Sequence, residues 1–211
     1  EFDSHGTRCS GWLYRPSESA NPPVVVMAHG FGATLQMGLP AYAERFTEHG
    51  LAVLLFDYRT FGESGGEPRN LVDPFHHIED YRAAISHARS LDGIDGNRLG
   101  VWGFSLSGGH ALAAATHENV DAYVGQSPVI DGARTLVNLV RQKGPDYARG
   151  TTTAGLKDLA RKYTGQDPYY LPIVGEPDEL AALNTPGAKD GFTGMVPNEL
   201  DEEEWNRCAA R

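Results

Sequence analysis

Val101-Trp102-Gly103-Phe104-Ser105-Leu106-Ser107-Gly108-Gly109-His110 starts as a short apolar run, breaks at small residues around a serine, and resumes with helical spacing. A serine held on a sharp strand-to-helix turn needs small neighbours two positions before it and two or three after it, because strand and helix backbones approach closely there. Gly103, Ser107, Gly108 and Gly109 stand at those positions. The pattern departs from G-x-S-x-G only at 107, where a serine replaces the glycine. By itself the stretch fits a catalytic elbow or an ordinary strand-turn-helix, and the surrounding chain has to decide.

Outward from it, the sequence alternates. Residues 98–102 read as the strand entering the turn, 106–117 as the helix leaving it, and 120–126 as a further strand. Upstream, Val24-Val25-Val26-Met27-Ala28 is a continuous β-branched run, the pattern of a strand buried on both faces, and 51–56 is a second such run. Gly11-Trp12-Leu13-Tyr14-Arg15-Pro16 reads as an edge strand that stops at proline. A helix is expected over 40–50, opened by proline and closed by glycine. Asp73 caps and Pro74 opens another, with Phe75, Ile78, Tyr81, Ala84, Ile85 and Ala88 as its apolar face. Strands and helices joined by short connections in this order build right-handed βαβ units, so the fold class is α/β with a mostly parallel sheet and helices on both faces. After Ser127-Pro128 the rhythm stops. Helices are expected over 131–143 and 152–163, with short helical segments after 175, and no further buried β-branched run follows. No internal repeat is visible, and the acidic run 199–204 reads as a solvated helix face.

Composition bounds the function. The 211 residues are 40% hydrophobic and 22% charged, with a formal net charge of −10. That describes a globular chain with a sizeable core and no basic stripe for nucleic acid. No apolar run approaches the roughly 18 residues of a membrane span, and no basic-then-apolar leader precedes the first strand. The chain begins at Glu1 rather than Met, as a trimmed chain would. Cys9 and Cys208 lie near opposite ends, share no metal-ligand spacing, and are compatible with a reducing, cytoplasmic setting.

Three motifs in order carry a resemblance. His29-Gly30-Phe31-Gly32 follows the first buried strand, Asp57-Tyr58-Arg59 runs through a glycine-rich loop to Ser64, and Gly103 to Gly109 forms the turn. Together they resemble the HG motif, the D-x-R-G-x-G-x-S loop and the nucleophile elbow of the α/β-hydrolase superfamily. The elbow G-x-S-x-S-G-G-H is similar to that of a bacterial dienelactone-hydrolase-like branch. Thr60 departs from the glycine that this loop carries after its arginine. Gly175-Glu176-Pro177 and the stretch from Trp205-Asn206 onward look like the cap and post-cap helix of that branch. The resemblance implies a three-layer α/β-hydrolase fold with a helical cap, lacking its last two strands. It divides the chain into a core over 1–128, a helical cap or insertion over 129–200, and a post-cap helix over 201–211.

The resemblance also implies roles. Ser105 is the expected nucleophile, and the backbone N–H groups of Phe31 and Leu106 are the expected oxyanion hole. His29 is expected to brace its loop, and the loop from Arg59 to Ser64 to pin a turn. The family places its acid and then its histidine after the serine. His110 and His117 follow Ser105 on the departing helix, where the rise carries them away from the hydroxyl, and both read as structural. His76 and His77 point in different directions and make no metal pair. Asp131 reads as a helix cap. The acid and histidine are therefore expected beyond Arg211.

The activity implied is hydrolysis of a carboxylic ester, lactone or thioester through an acyl-enzyme on Ser105, weak or absent in this stretch alone, with no metal or organic cofactor. A small-molecule acyl substrate is the expected partner, with no nucleic acid and no membrane. A homo-oligomer or a complementing C-terminal fragment remains open. Two alternatives stand beside it: a non-catalytic hydrolase-fold protein that binds a ligand or partner, and an acyltransferase. Tyr147, Tyr163, Tyr169, Tyr170 and Phe192 are candidates for an apolar acyl pocket, although such residues more often form the core of the cap itself.

Overall fold

A computed structural model describes residues 1–210. The chain forms two units, residues 1–67 with 74–130, and residues 68–73 with the chain from Asp131 onward.

In the first unit, β1 (Phe2–Ser4) and β2 (Thr7–Cys9) make a hairpin whose turn, His5 and Gly6, has positive φ at both positions, as a two-residue hairpin turn requires. The main sheet follows from β3 (Gly11–Tyr14), β4 (Pro23–Ala28), α1 (Leu39–Glu48) and β5 (Ala52–Phe56). Between this sheet and the next helix lies β6 (Leu71–Val72), which belongs to the second unit. α2 (Pro74–Arg89), β7 (Asp95–Phe104), α3 (Leu106–Ala115) and β8 (Ala122–Gln126) complete the first unit. The sheet order is β3-β5-β4-β7-β8. All pairs are parallel except β3 with β5, so the aromatic, proline-terminated strand is the edge strand that the sequence indicated, and it runs antiparallel to its neighbour.

Alternation along the buried strands divides their side chains between two layers. Met27, Val53, Leu55 and Trp102 pack with Leu35, and with Leu39 and Ala43 of α1. On the opposite layer Phe56 meets Tyr81 of α2 edge-on, with ring centroids 5.4 Å apart. The Tyr81 hydroxyl is hydrogen-bonded to the carbonyls of Val26 and Trp102, which ties α2 to two adjacent strands. α3 packs beside α2. The carboxyl ends of β4, β7 and β8 are in register, with Ala28 opposite Gly103 and Phe104 opposite Gln126. That is the end of a parallel sheet where ligands bind.

One expected helix face is corrected. Phe75, read as core, is 79% exposed, while His77 and Asp80 of α2 are buried. The cause is the loop after β5. Tyr58 stacks on His77 with centroids 4.1 Å apart, and Arg59 donates through Nε and its backbone N–H to the two carboxylate oxygens of Asp80 at 2.7 and 2.9 Å. A paired charge and a stacked ring can occupy an interior that an unpaired polar group could not.

The second unit holds α4 (Gly132–Lys143), α5 (Pro145–Tyr163), α6 (Ala188–Thr193), α7 (Glu202–Trp205) and β9 (Ala209–Ala210), which pairs in parallel with β6. Asp131 caps α4 by accepting from the Arg134 N–H, as its position indicated. α5 begins at Pro145, seven residues before the expected start at 152, because Gly144 with φ 84° breaks α4 and proline then opens a new helix directly. Among the described residues, no helix is long and apolar enough to cross a membrane.

Candidate active site

Ser105 is the N-cap of α3 and has φ 55° and ψ −119°. A non-glycine residue with positive φ stores of order 1–3 kcal/mol and persists only where its surroundings over-determine it. Here they do. The Ser105 N–H donates to the Gln126 carbonyl at 3.0 Å, and the Ser105 carbonyl accepts from Val129 at 2.9 Å and from Gly108 at 3.1 Å. The chain just past β8 thus grips both sides of the turn. Small residues permit this grip: a methyl group on Gly109 would strike the Val129 carbonyl, and one on Gly103 would strike the backbone of Ser107 and Gly108. Among the described residues the half-buried Ser105 side chain has no hydrogen-bond partner.

The HG loop abuts this turn. A Cβ on Gly30 would lie 3.2 Å from the Phe104 carbonyl and 3.5 Å from the Ser105 Cβ, so glycine lets the loop backbone close on the serine. Phe31 follows Gly30 directly, and Leu106 is the first residue of α3, where N–H groups precede the intrahelical ladder. The structure therefore gathers the loops carrying Ser105, Phe31 and Leu106. Neither described histidine that follows Ser105 in the chain is placed on these loops. His110 is buried one turn along α3, against Tyr58 and His77, and His117 is exposed just past the end of that helix.

The supporting loop behaves as its composition indicated. Asp57 is buried, and its Oδ1 accepts from the Leu35 N–H at 2.6 Å. The Ser64 hydroxyl donates to the Asp57 carbonyl at 2.7 Å and accepts from the Ser10 N–H at 2.8 Å. Thr60 takes φ 72°, which accounts for glycine being the usual occupant there. Both cysteines are buried, and burial pushes each thiol pKa up to about 12, so neither is a reactive thiolate. Among the described residues no group of three or more potential ligands could hold a metal ion.

The candidate acyl-pocket aromatics are occupied separately within their own unit. Tyr147 lies under Lys143, Tyr169 under Lys157 and Arg161, and Tyr170 under Arg207, while Phe192 stacks on Trp205 and Tyr163 is 83% exposed. The contacts of Tyr147, Tyr169, Tyr170 and Phe192 support the packing reading, and the exposed Tyr163 fits neither reading.

A feature not apparent in the sequence lies beneath the elbow. His29, Tyr58, Phe61, His77 and His110 form one buried ring cluster, with neighbouring centroids between 4.1 and 5.7 Å. Its contacting pairs are 16 to 52 positions apart, separations that no local period reveals, although each member belongs to a motif already singled out or to the helix beside it. His29 Nδ1 pairs with the Gly30 carbonyl at 3.0 Å, bracing the HG loop. Desolvation lowers the pKa of His29 and of His110 to about 4. His29 is thus neutral at pH 7, and its 3.6 Å approach to Asp57 is not an ion pair.

That has a consequence for acid stability. An unfolded histidine takes up its proton near pH 6.5, whereas these two take it up near pH 4 when folded. Their contribution is intact above pH 6.5 and is lost as the pH falls through the interval to 4, by about 3 kcal/mol for either one at 1.36 kcal/mol per unit. Urea midpoints measured at pH 7, 5.5 and 4 should fall steeply, and His110→Phe should flatten the decline. An unchanged slope in that variant would remove His110 from the account.

The comparisons with known proteins bear on the fold and the family. A model of the X-Pro dipeptidyl-peptidase (S15) family matches residues 5–168. The chain belongs to that family. This S15-family chain is 41% identical to the quorum-quenching protein AidA of Acinetobacter baumannii (strain MDR-ZJ06), over 94% of its own length and 64% of AidA. It is 43% identical to thiohydrolase aneE of Aspergillus aculeatus, over 60% of the chain and 39% of that protein. The crystal structure of the α/β hydrolase GrgF from Penicillium sp. sh18 superimposes with a TM-score of 0.77 at 26% identity, covering 99% of this chain and 68% of GrgF. The S15-family chain has the α/β-hydrolase fold, and it spans less than two thirds of the length of either curated relative.

Proposed function

We infer that the protein is a serine hydrolase that cleaves a carboxylic ester, lactone or thioester through an acyl-enzyme on Ser105. The observation that carries this reading is the strained backbone of Ser105, φ 55°, at the head of α3 with the glycine of the HG loop pressed against it. Strain of this kind holds a hydroxyl out of the sheet end, where an acyl carbon can approach. The Ser105 oxygen attacks that carbon as its proton passes to a base. The carbonyl oxygen becomes an oxyanion that accepts from the N–H groups of Phe31 and Leu106, and collapse expels the alcohol or thiol. Water then resolves the acyl-enzyme by the same route in reverse. We assign the base and its acid partner to residues beyond Arg211, since of the two later histidines His110 is buried in the ring cluster and His117 lies exposed past the end of α3, and we assign the helical segment 129–200 to a cap.

The thiohydrolase among the relatives supports acyl transfer to water from a thioester, and the G-x-S-x-S-G-G-H elbow supports the dienelactone-hydrolase-like branch. The reaction as written uses only protein groups and water. A fluorophosphonate probe tests the reading directly. On the full-length protein, one covalent adduct should form and map to the peptide containing Ser105. An unlabelled, folded protein would refute the assignment.

A further inference from the structure

Ser107 is where the elbow departs from G-x-S-x-G, and its side chain is completely buried. The last in-register pair between β4 and β7 is Ala28 with Gly103. Beyond it the strands part, one into the HG loop and the other into the elbow, and the backbone ladder can no longer join them. The Ser107 hydroxyl spans that gap. It donates to the Ala28 carbonyl at 2.7 Å and accepts from the Phe104 N–H at 3.1 Å. Its third neighbour is the Tyr58 hydroxyl, which burial keeps protonated and which lies 3.4 Å from His110 Nδ1. One side chain therefore adds a rung past the end of the ladder and anchors it to the buried ring cluster.

We propose that Ser107 is a positioning residue that sets the spacing between the HG loop and the elbow, and with it the fit of the oxyanion formed at Ser105. Ala28 is three residues from Phe31, and Phe104 is two residues from Leu106, so the rung joins the roots of both donor-bearing loops. Ground-state binding depends little on that spacing. A tetrahedral adduct, whose oxygen must meet both donors at once, depends on it strongly, and a misplacement of about 1 Å costs about 100-fold. The inference rests on Ser105 being the nucleophile.

The test compares Ser107→Ala, Ser107→Gly and Ser107→Thr in the full-length protein. The readouts are kcat and KM on a short-chain p-nitrophenyl ester, and the inhibition constant of a trifluoromethyl ketone of matching chain length, which forms a tetrahedral adduct with a serine nucleophile. Ala and Gly variants should lose about 10- to 100-fold in kcat, and bind the ketone more weakly by a similar factor, with KM within about 3-fold of wild type. Thr, which keeps the hydroxyl, should restore both. The Gly variant guards against misfolding of the Ala variant, since G-x-S-x-G turns accept glycine at this position. Folded Ala or Gly variants with unchanged kcat and unchanged ketone affinity would reduce Ser107 to a stabilising contact, as would a folded Thr variant as impaired as Ala. A wild-type protein that is neither labelled at Ser105 nor inhibited by the ketone overturns the hydrolase reading itself, whatever the variants do.

Discussion

Ser105→Ala should lower kcat on a short-chain ester or thioester by about 10⁴- to 10⁶-fold, the loss seen when a serine hydrolase is deprived of its nucleophile. KM should move little, because the hydroxyl contributes to bond formation and not to holding the acyl chain. The fold should be indifferent. The hydroxyl has no hydrogen-bond partner among the described residues, and the backbone of residue 105 is fixed by bonds from its N–H and carbonyl, which alanine retains. Alanine accepts φ 55° no worse than serine does, so stability should change by no more than about 0.5 kcal/mol, a shift of about 2 °C or less in the thermal midpoint. Steady-state kinetics and a circular-dichroism melt on the same preparation check both halves. Residual activity above about a tenth of wild type, in a folded variant, would place the nucleophile elsewhere.

The sequence made the architecture readable because the core strands are unambiguous. Val24 to Ala28 and the run 51–56 are apolar at every position, which only a strand covered on both faces explains, and the structure pairs them in the centre of the sheet. The turn at Ser105 was readable for a related reason, since close approach of two backbones leaves small residues as the only occupants. What escaped the sequence were interactions between segments far apart in the chain. Phe75 looked like core by helical spacing, but the space beside α2 is taken by Tyr58 on His77 and by Arg59 on Asp80. A periodicity argument ranks residues by polarity and cannot register that a polar residue has a partner 21 positions away. Ser107 escaped in the same way. It read as a small residue tolerated in place of glycine, whereas its hydroxyl bonds a carbonyl 79 positions earlier.

The strongest effect on folding should come from a single methyl group. Gly103→Ala would set a Cβ 2.5 Å from the Ser107 carbonyl carbon and 2.6 Å from the Gly108 nitrogen. Both are backbone atoms of the first turn of α3, so no side chain can rotate away. Nor can the turn retreat, because Gly108 and Val129 both donate to the Ser105 carbonyl, and the Ser105 N–H is bound to Gln126. Relief therefore requires breaking the contact of β7 with α3 or releasing the elbow from the end of β8, and the expected cost exceeds about 4 kcal/mol, in the range reserved for severe overpacking and backbone clash. Gly100→Ala, three residues earlier on the same strand, is the internal control. Its Cβ would meet the Ala122 carbonyl oxygen and Cβ at 3.5 and 3.6 Å, which is ordinary van der Waals contact, so it should stay within about 1 kcal/mol of wild type. Thermal melts should put Gly103→Ala at least 10 °C below wild type, at about 2–4 °C per kcal/mol for a chain of this size, or leave it insoluble. Equal midpoints for the two variants would mean that the elbow tolerates movement, and that the strain at Ser105 is not held in place by the packing of Gly103.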